Sequence, residues 1–330
     1  MFLKDFLVKI NEKIPLHLAC DWDNVGLLVE PDENFLLKRI MLTNDLTEKV
    51  MNESLSKDVD LIISYHPPIF RPLKTICQSN WKERIIARCL ENRMAIYSPH
   101  TALDAIHGGI NDWLIGQFSC SNIRPVEIST QKPRFEYQIQ LNDSERKSLI
   151  CDQLEANESH GIIQCNGDIL PLILDKIRKQ NVNFSTITNC PKLPLLLEGM
   201  GRMANLSKPM KIDDIVSTLK SSLGLKRIRL ALANNHTNDT MIKTIGVCAG
   251  SGSSILRQIQ PKTVDFFITG EMSHHEILDA IHSGTSIALC EHTNTERGYI
   301  QSILYDYLVE NFPTISILMS EVDKDPIQIV

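Results

Sequence analysis

Leu61-Ile62-Ile63-Ser64-Tyr65-His66-Pro67-Pro68 is the stretch that decides the fold. An unbroken apolar run without alternation describes a strand buried on both faces. Two prolines then end it, because proline offers no N–H to a ladder. The same signal recurs on either side. Arg39-Ile40-Met41-Leu42-Thr43 comes before it, with a helical pattern through Val50 and Leu55 between the two. After it, 81–91 reads as helix and Met94-Ala95-Ile96-Tyr97 as a third strand stopped by Pro99, with more helix over 112–117. The last third repeats the alternation. Strands are expected at 244–248, 264–269, 286–290 and 314–319, with helices after Gly270 and from about Thr295 to Glu310. Alternating strands and helices predict an α/β fold with largely parallel sheets.

The middle departs from this rhythm. It is polar and irregular, then alternates over Tyr137-Gln138-Ile139-Gln140-Leu141 as a half-buried strand does. Helical patterns over 144–155 and 169–180 follow. Two strands and two helices would make a small inserted α+β module. The expected organisation is a first α/β lobe over 1–125, the insertion over 126–197 and a second lobe over 198–330. A chain of 330 residues is long enough for such a design.

Composition excludes more than it identifies. Thirty-four basic and forty acidic residues give a net charge of −6, which argues against direct nucleic-acid binding. No apolar run approaches the roughly 18 residues of a membrane span. Nine cysteines, odd in number and without a Cys-x-x-Cys pair, signal neither a disulfide framework nor a thiolate zinc site. They are expected to be reduced, mostly buried thiols in an intracellular compartment. The opening MFLKDFLVKINEKIP is apolar at helical spacing, but Asp5 and Glu12 do not suit a transit peptide. It reads as a folded amphipathic helix ending before Pro15. The expected location is cytoplasmic, with the nucleus a further option and mitochondria a lesser one.

Chemistry gathers after the strands, at the edge where α/β sheets bind ligands. Four clusters sit there: Ser64-Tyr65-His66-Pro67, Ser98 to Asp104, Gly270 to Glu276, and Glu291 to Glu296. Together they offer imidazole and carboxylate but no thiolate, a set that suits Zn, Fe or Mn in an open, hydrolytic type of site. His292 and Glu296 stand close enough to share an ion, although Glu296 could equally cap a helix. Adjacent His274 and His275 point about 100° apart on a helix, so one of them is a structural or proton-carrying group. Gly250-Ser251-Gly252 follows a strand and opens a helix, which makes it a weak phosphate-cradle candidate lacking the P-loop lysine. Asp45 either faces the same crevice or serves as a helix N-terminal acid. His17, His107, His160, His236 and His282 show no partner pattern.

Several of these segments resemble a known family. They are Cys20 to Leu28 (CDWDNVGLL), Ile63 to Phe70 (ISYHPPIF), Tyr97 to Ala105 (YSPHTALDA), Cys248 to Leu256 (CAGSGSSIL), Thr269 to Ala280 (TGEMSHHEILDA) and His292 to Arg297 (HTNTER). The family is that of the NGG-one-interacting-factor-three-like proteins, often labelled type-two GTP-cyclohydrolase-I-like. The resemblance covers roughly 1–125 and 198–330, the middle looks like the insertion carried by longer members, and Tyr65 makes the chain similar to eukaryotic members. It implies two similar α/β lobes around a dinuclear metal centre, assembled as a homohexamer. It also implies one or two divalent ions held by His66, Asp104, His292 and Glu296. Tyr65 stands where the bacterial pattern has a first histidine. A neutral phenol is a poor ligand, so the second ion is expected to be weak or absent.

The expected function is a metal-dependent hydrolase acting on a nucleotide-like or phosphorylated small molecule. His100 and His275 are the candidate proton carriers or groups supporting the ligands. The alternatives are a metal-bearing scaffold that binds a transcription-related protein partner, and delivery of a metal or nucleotide cofactor without turnover.

Overall fold

The computed structural model describes residues 1–33, 35–130, 135–142, 156–159 and 161–327. The chain forms two compact units. One comprises Met1–Ser129 with Leu196–Val330, and the other is Thr130–Leu195.

The larger unit carries two α/β sheets. The first has five strands in the order Gly26–Val29, Ala95–Ser98, Leu61–Ser64, Arg39–Thr43 and Ser316–Met319. The last four run parallel, and Gly26–Val29 is an antiparallel edge. The deciding stretch therefore lies mid-sheet, with Leu61 to Ser64 buried throughout, as an unbroken apolar run requires. The last strand of the chain closes this first sheet, pairing Ile317 with Ile40 and Leu318 with Met41.

The second sheet has six strands, ordered Arg229–Ala231, Ser286–Leu289, Phe266–Glu271, Met241–Ser251, Arg202–Lys211 and Cys120–Arg124. Only the middle three of those neighbouring the site are parallel; the flanking strands are antiparallel. The expectation of largely parallel sheets holds for both centres and fails at the edges. Cys120–Arg124 and Arg229–Ala231 are exposed or half-exposed, so their sequences lack the apolar run that marks a central strand. The helix Ile212–Ser222 also escaped the sequence reading. It buries Ile212, Ile215 and Leu219 against the second sheet at helical spacing.

Local signals explain the helices that were expected. Asn80 caps Trp81–Glu91 by accepting from the Lys82 N–H at 2.9 Å, and Ile85, Ile86 and Cys89 face the core. Ser273 and Glu276 form a capping box that starts His274–His282. The N-terminal helix Leu3–Lys13 buries Leu3, Phe6 and Ile10, with the Phe6 and Phe312 rings 4.7 Å apart. The segment from Thr295 to Glu310 is not one regular helix. It passes from Arg297–Tyr299 through a π-helical stretch, Ile300–Leu304, to Tyr305–Asn311.

The smaller unit is an α+β module. Its sheet is ordered Phe184–Asn189, Tyr137–Leu141, Ile162–Cys165 and Ala156–Ser159, all antiparallel. The helix Leu170–Lys179 packs Ile173 and Ile177 against Ile139, Leu141 and Ile163. Among the described residues this sheet has four strands, where two were expected for the module. Phe184–Asn189 is an exposed edge, which removes the alternation a sequence reading depends on. The helix expected over 144–155 lies outside the described residues.

One buried charge ties the larger unit together where the insertion leaves and returns. Arg202 is 1% exposed. Its guanidinium donates to both oxygens of Asp112 at 2.8 and 2.9 Å, and to the carbonyls of Gly199, Gly201 and Ile106. An arginine fork fits this fan of acceptors, and lysine, with a single nitrogen, does not. Arg202→Met would strand the buried carbonyls and Asp112 without their donor. Denaturant unfolding should register a loss of about 3–5 kcal/mol, with Arg202→Lys recovering little of it.

Candidate metal centre

The carboxyl ends of the parallel strands from both sheets open onto one cavity of about 860 Å³. Strand Leu61–Ser64 delivers Tyr65 and His66, and Arg39–Thr43 delivers Asn44 and Asp45. Ala95–Ser98 leads through Pro99 to His100. From the second sheet, Met241–Ser251 brings Gly250, Phe266–Glu271 brings Glu271, and Ser286–Leu289 leads to His292. A tight turn at Thr293–Thr295 then carries the chain to Glu296.

Three of the sequence candidates converge. His66 Nε2 lies 3.6 Å from Glu296 Oε2, and His292 Nε2 lies 3.4 Å from Glu296 Oε1. The ligand atoms of His66, His292 and Glu296 all fall within 4.8 Å of one another. Each imidazole is turned by a carboxylate behind it. His66 Nδ1 meets Asp45 Oδ1 at 2.9 Å, and His292 Nδ1 meets Glu271 Oε1 at 2.9 Å. An Nδ1–H donated to the carboxylate behind each ring leaves the Nε2 lone pair facing Glu296, the tautomer that an ionised Asp45 and Glu271 favour. This carboxylate–imidazole relay is the usual support of a metal-binding histidine. Asp45 therefore faces the crevice and does more than cap a helix.

Glu296 is 1% exposed. Burial pushes its carboxyl well above the ordinary range, against a hydrogen bond from Asn44 Nδ2 at 2.9 Å. Burial likewise lowers His66, opposed by Asp45. A buried carboxylate between two imidazoles is a set of donors suited to a divalent cation. The backbone leaves room for one. Gly250 adopts φ +61°, and a Cβ there would sit 2.8 Å from Glu296 Oε1 and 3.0 Å from His292 Nε2, filling the space between the donors. The residues present thus fit a divalent ion.

Gly250 and Ser251 reach the cavity wall, but the loop is not arranged as a phosphate cradle. The Gly250 N–H is spent on Thr295 Oγ1 at 2.8 Å, and its carbonyl accepts from Thr269 Oγ1 at 3.1 Å. Gly252 precedes only a single helical turn, Ser253–Leu256. The glycine at 250 supplies space instead of N–H donors.

Asp104 and Tyr65 belong to a second arrangement beside the first. Both are buried, and the Tyr65 hydroxyl donates to Asp104 Oδ1 at 2.8 Å. Burial pushes Asp104 up to about 6 and raises the phenol well above its usual value. Asp104 lies outside the group of mutually close ligand atoms among the described residues.

His100 lines the cavity and His275 does not. His275 is on the exposed first turn of its helix, stacked edge-on against His274 at 5.5 Å. The capping box at Ser273 sets that outward phase. His100 is instead held by a residue the sequence reading passed over. Asp23 Oδ1 meets His100 Nδ1 at 2.7 Å, and Asp23 Oδ2 accepts from the Thr101 hydroxyl and N–H. Burial would raise the Asp23 carboxyl, yet these hydrogen bonds outweigh it and hold it below the ordinary range. His100 sits at φ +27°, a strained conformation for a side-chain-bearing residue. Asp23 lies within the segment Cys20 to Leu28, but nothing in its spacing reveals a partner 77 positions away.

Comparison with known proteins agrees with this architecture. A family model described as Duf34/NIF3 (NGG1p interacting factor 3) matches residues 1–326. The chain is 38% identical to the human NIF3-like protein 1 over 356 residues, covering 100% of this chain and 93% of the relative. It is 28% identical to the NGG1-interacting factor 3 of Saccharomyces cerevisiae, covering 93% and 90%. The crystal structure of Staphylococcus aureus hypothetical protein SA1388 superposes with TM-score 0.73 at 24% identity, over 100% of this chain and 99% of that one. With the family model spanning nearly its whole length, the chain belongs to the DUF34/NIF3 (NGG1p interacting factor 3) family.

Proposed function

We propose that this protein is a divalent-metal-dependent hydrolase acting on a nucleotide-like or phosphorylated small molecule. The observation that carries this reading is the pair of imidazoles, each fixed through Nδ1 by a carboxylate and turned through Nε2 onto one buried carboxylate. His66, His292 and Glu296 would hold one ion of Zn, Fe or Mn. Three protein ligands leave further coordination positions open, as hydrolytic sites require and structural sites do not. When bound, such an ion would supply Lewis acidity and lower the pKa of water.

The remaining steps belong to the chain's own residues. Asp45 and Glu271 hold the two imidazoles in the ligating tautomer. Asn44 keeps one Glu296 oxygen oriented. His100, anchored by Asp23, carries the proton exchanged with the substrate through Nε2. Tyr65 closes the neighbouring position, because its hydroxyl already satisfies Asp104 and loses its proton only at strongly alkaline pH. One ion per chain follows from that assignment.

A second reading rests on the printed name of the yeast relative, an NGG1-interacting factor. In it the chain binds a transcription-related protein partner and the metal is structural. Tight partner binding that survives loss of His66 and Glu296 would favour it. Assembly as a homohexamer is part of the proposal and is read by light scattering of the purified protein.

Metal analysis of purified protein should find about one divalent ion per chain. His66→Ala, His292→Ala and Glu296→Ala should each remove it, together with turnover in a screen of nucleotides and phosphoesters. Retained metal and turnover in these variants sinks the reading. Tyr65→His should raise the stoichiometry towards two.

Glu296 also predicts a trade of stability for function. Its folded pKa lies above the unfolded value of 4.5. The raised carboxyl therefore penalises the metal-stripped fold above the unfolded value, and the penalty shrinks as pH falls towards about 4.5 and is absent below it. Glu296→Gln should raise the thermal midpoint of chelator-treated protein at pH 7 to 8 while abolishing metal uptake. The gain should vanish near pH 4.

A further inference from the structure

The mouth of the same cavity carries two aromatic side chains that packing does not explain. Trp22 is 62% exposed and Phe70 is 40% exposed, with ring centroids 5.9 Å apart. Both meet the edge of the His100 ring, at 6.1 and 6.2 Å. An exposed indole forgoes most of the burial that makes tryptophan worth its size, unless a partner covers it.

The pair is held rigidly. The turn carrying Trp22 is closed by the Asp23 N–H donating to the Cys20 carbonyl at 2.9 Å. The Cys20 N–H donates to Thr101 Oγ1 at 3.0 Å, and Asp23 is fastened to His100 and Thr101. Asn24 Nδ2 then donates to the Ile69 carbonyl at 2.5 Å, tying the Trp22 turn to the segment that bears Phe70. A preorganised aromatic wall beside a wide cavity is a stacking platform, since little ordering entropy is left to lose when a planar ligand settles on it.

The charge of the cavity restricts what that ligand can be. Asp21, Asp45, Asp104, Glu127 and Glu296 line it, and Lys82 is the one lysine or arginine among the described lining residues. A single divalent ion offsets two of those carboxylates. A polyphosphate chain would meet the remainder as like charges in a confined space of reduced dielectric.

We propose that the cavity binds a planar nitrogen heterocycle of little or no negative charge, a nucleoside-like molecule stacked on Trp22 beside Phe70. This rests on the cavity being the reaction site named above, and it narrows the substrate class from nucleotides in general to their weakly charged forms. His100 touches the wall on one hand and the candidate ligand His66, at 5.4 Å between ring centroids, on the other, so a ring stacked on Trp22 extends its substituents past the proton carrier towards the ion. Stacking tolerates any base, because every base has a π-face.

Calorimetric titration of the full chain with adenosine, guanosine and cytidine, each beside its triphosphate, tests this. The titrations are run on metal-loaded and chelator-treated protein, because triphosphates themselves bind divalent ions. At least one nucleoside should bind, and its triphosphate should bind about tenfold more weakly or worse. Trp22→Ala should weaken the nucleoside about tenfold with metal content unchanged, and Trp22→Phe should retain most of the affinity. Asp21→Asn combined with Glu127→Gln should narrow the gap to the triphosphate. The proposal is overturned if no nucleoside binds, if Trp22→Ala leaves affinity within about twofold, or if the triphosphate binds as tightly as the nucleoside. Nucleoside binding that depends on Trp22 in a protein whose metal ignores His66→Ala would sink the metal reading and leave this one standing.

Discussion

A carboxylate buried between two sheets governs the rest of the molecule. Removing Glu296 from water costs several kcal/mol unless opposite charge or hydrogen bonds replace the lost hydration. Among the described residues one amide, from Asn44, donates to it, and two imidazoles approach at 3.4 and 3.6 Å. That deficit is a stored preference for a cation. The neighbouring choices are consistent with it. Gly250 omits a side chain that would fill the space, and Asp45 and Glu271 keep both imidazoles in the basic tautomer facing inward.

The site is assembled from distant parts of the chain, which accounts for the fold's split design. His66 and Asn44 come from the first sheet, and His292, Gly250 and Glu296 from the second. The end of the chain fastens the seam. Asp323 Oδ2 accepts from the Asn44 N–H at 2.7 Å and from Arg297 at 2.6 Å, and Asp325 accepts from Thr293 at 2.7 Å. These contacts fix both neighbours of Glu296 from outside the cavity. The insertion leaves by strand Glu127–Thr130 and returns by the strand paired with it, Pro194–Met200. Gly199 approaches the Glu127 carbonyl so closely that no Cβ would fit. An exit and a return in contact let a module be accommodated there at little cost in chain entropy.

The sequence was most legible where burial was complete. Leu61–Ser64 and Trp81–Glu91 have the bounds that their patterns indicate, because an unbroken apolar run and a capped amphipathic stretch each have one low-energy solution. The edge strands at 120–124 and 229–231 and the exposed strand at 184–189 gave no such signal. Their pairing is a tertiary event between main chains, and side chains record it only weakly. The site divided in the same way. His66, His292 and Glu296 stood out as titratable groups just past strand ends. Asp23 and Asn44 did not, because their roles exist only once the chain has brought them to His100 and Glu296. Helix geometry separates His274 from His275 by about 100° without saying which one faces the cavity, and the phase set by the Ser273 cap leaves both exposed.

Tyr65 shows how one residue can change the character of such a centre without disturbing its frame. Its hydroxyl donates to Asp104, so a carboxyl that burial lifts to about 6 is satisfied by a neutral partner. An imidazole at that position would offer a lone pair to an ion, whereas the phenol offers a proton to the carboxylate. Among the described residues the pocket thereby leaves Glu296 with a single amide donor and gives Asp104 a hydroxyl donor that favours its ionised form against burial. Under the single-ion occupancy proposed above, less positive charge would oppose the acidic lining. On that proposal a tyrosine at position 65 would also bias the cavity against highly anionic ligands, joining the proposed metal chemistry at its floor to the proposed selectivity at its mouth.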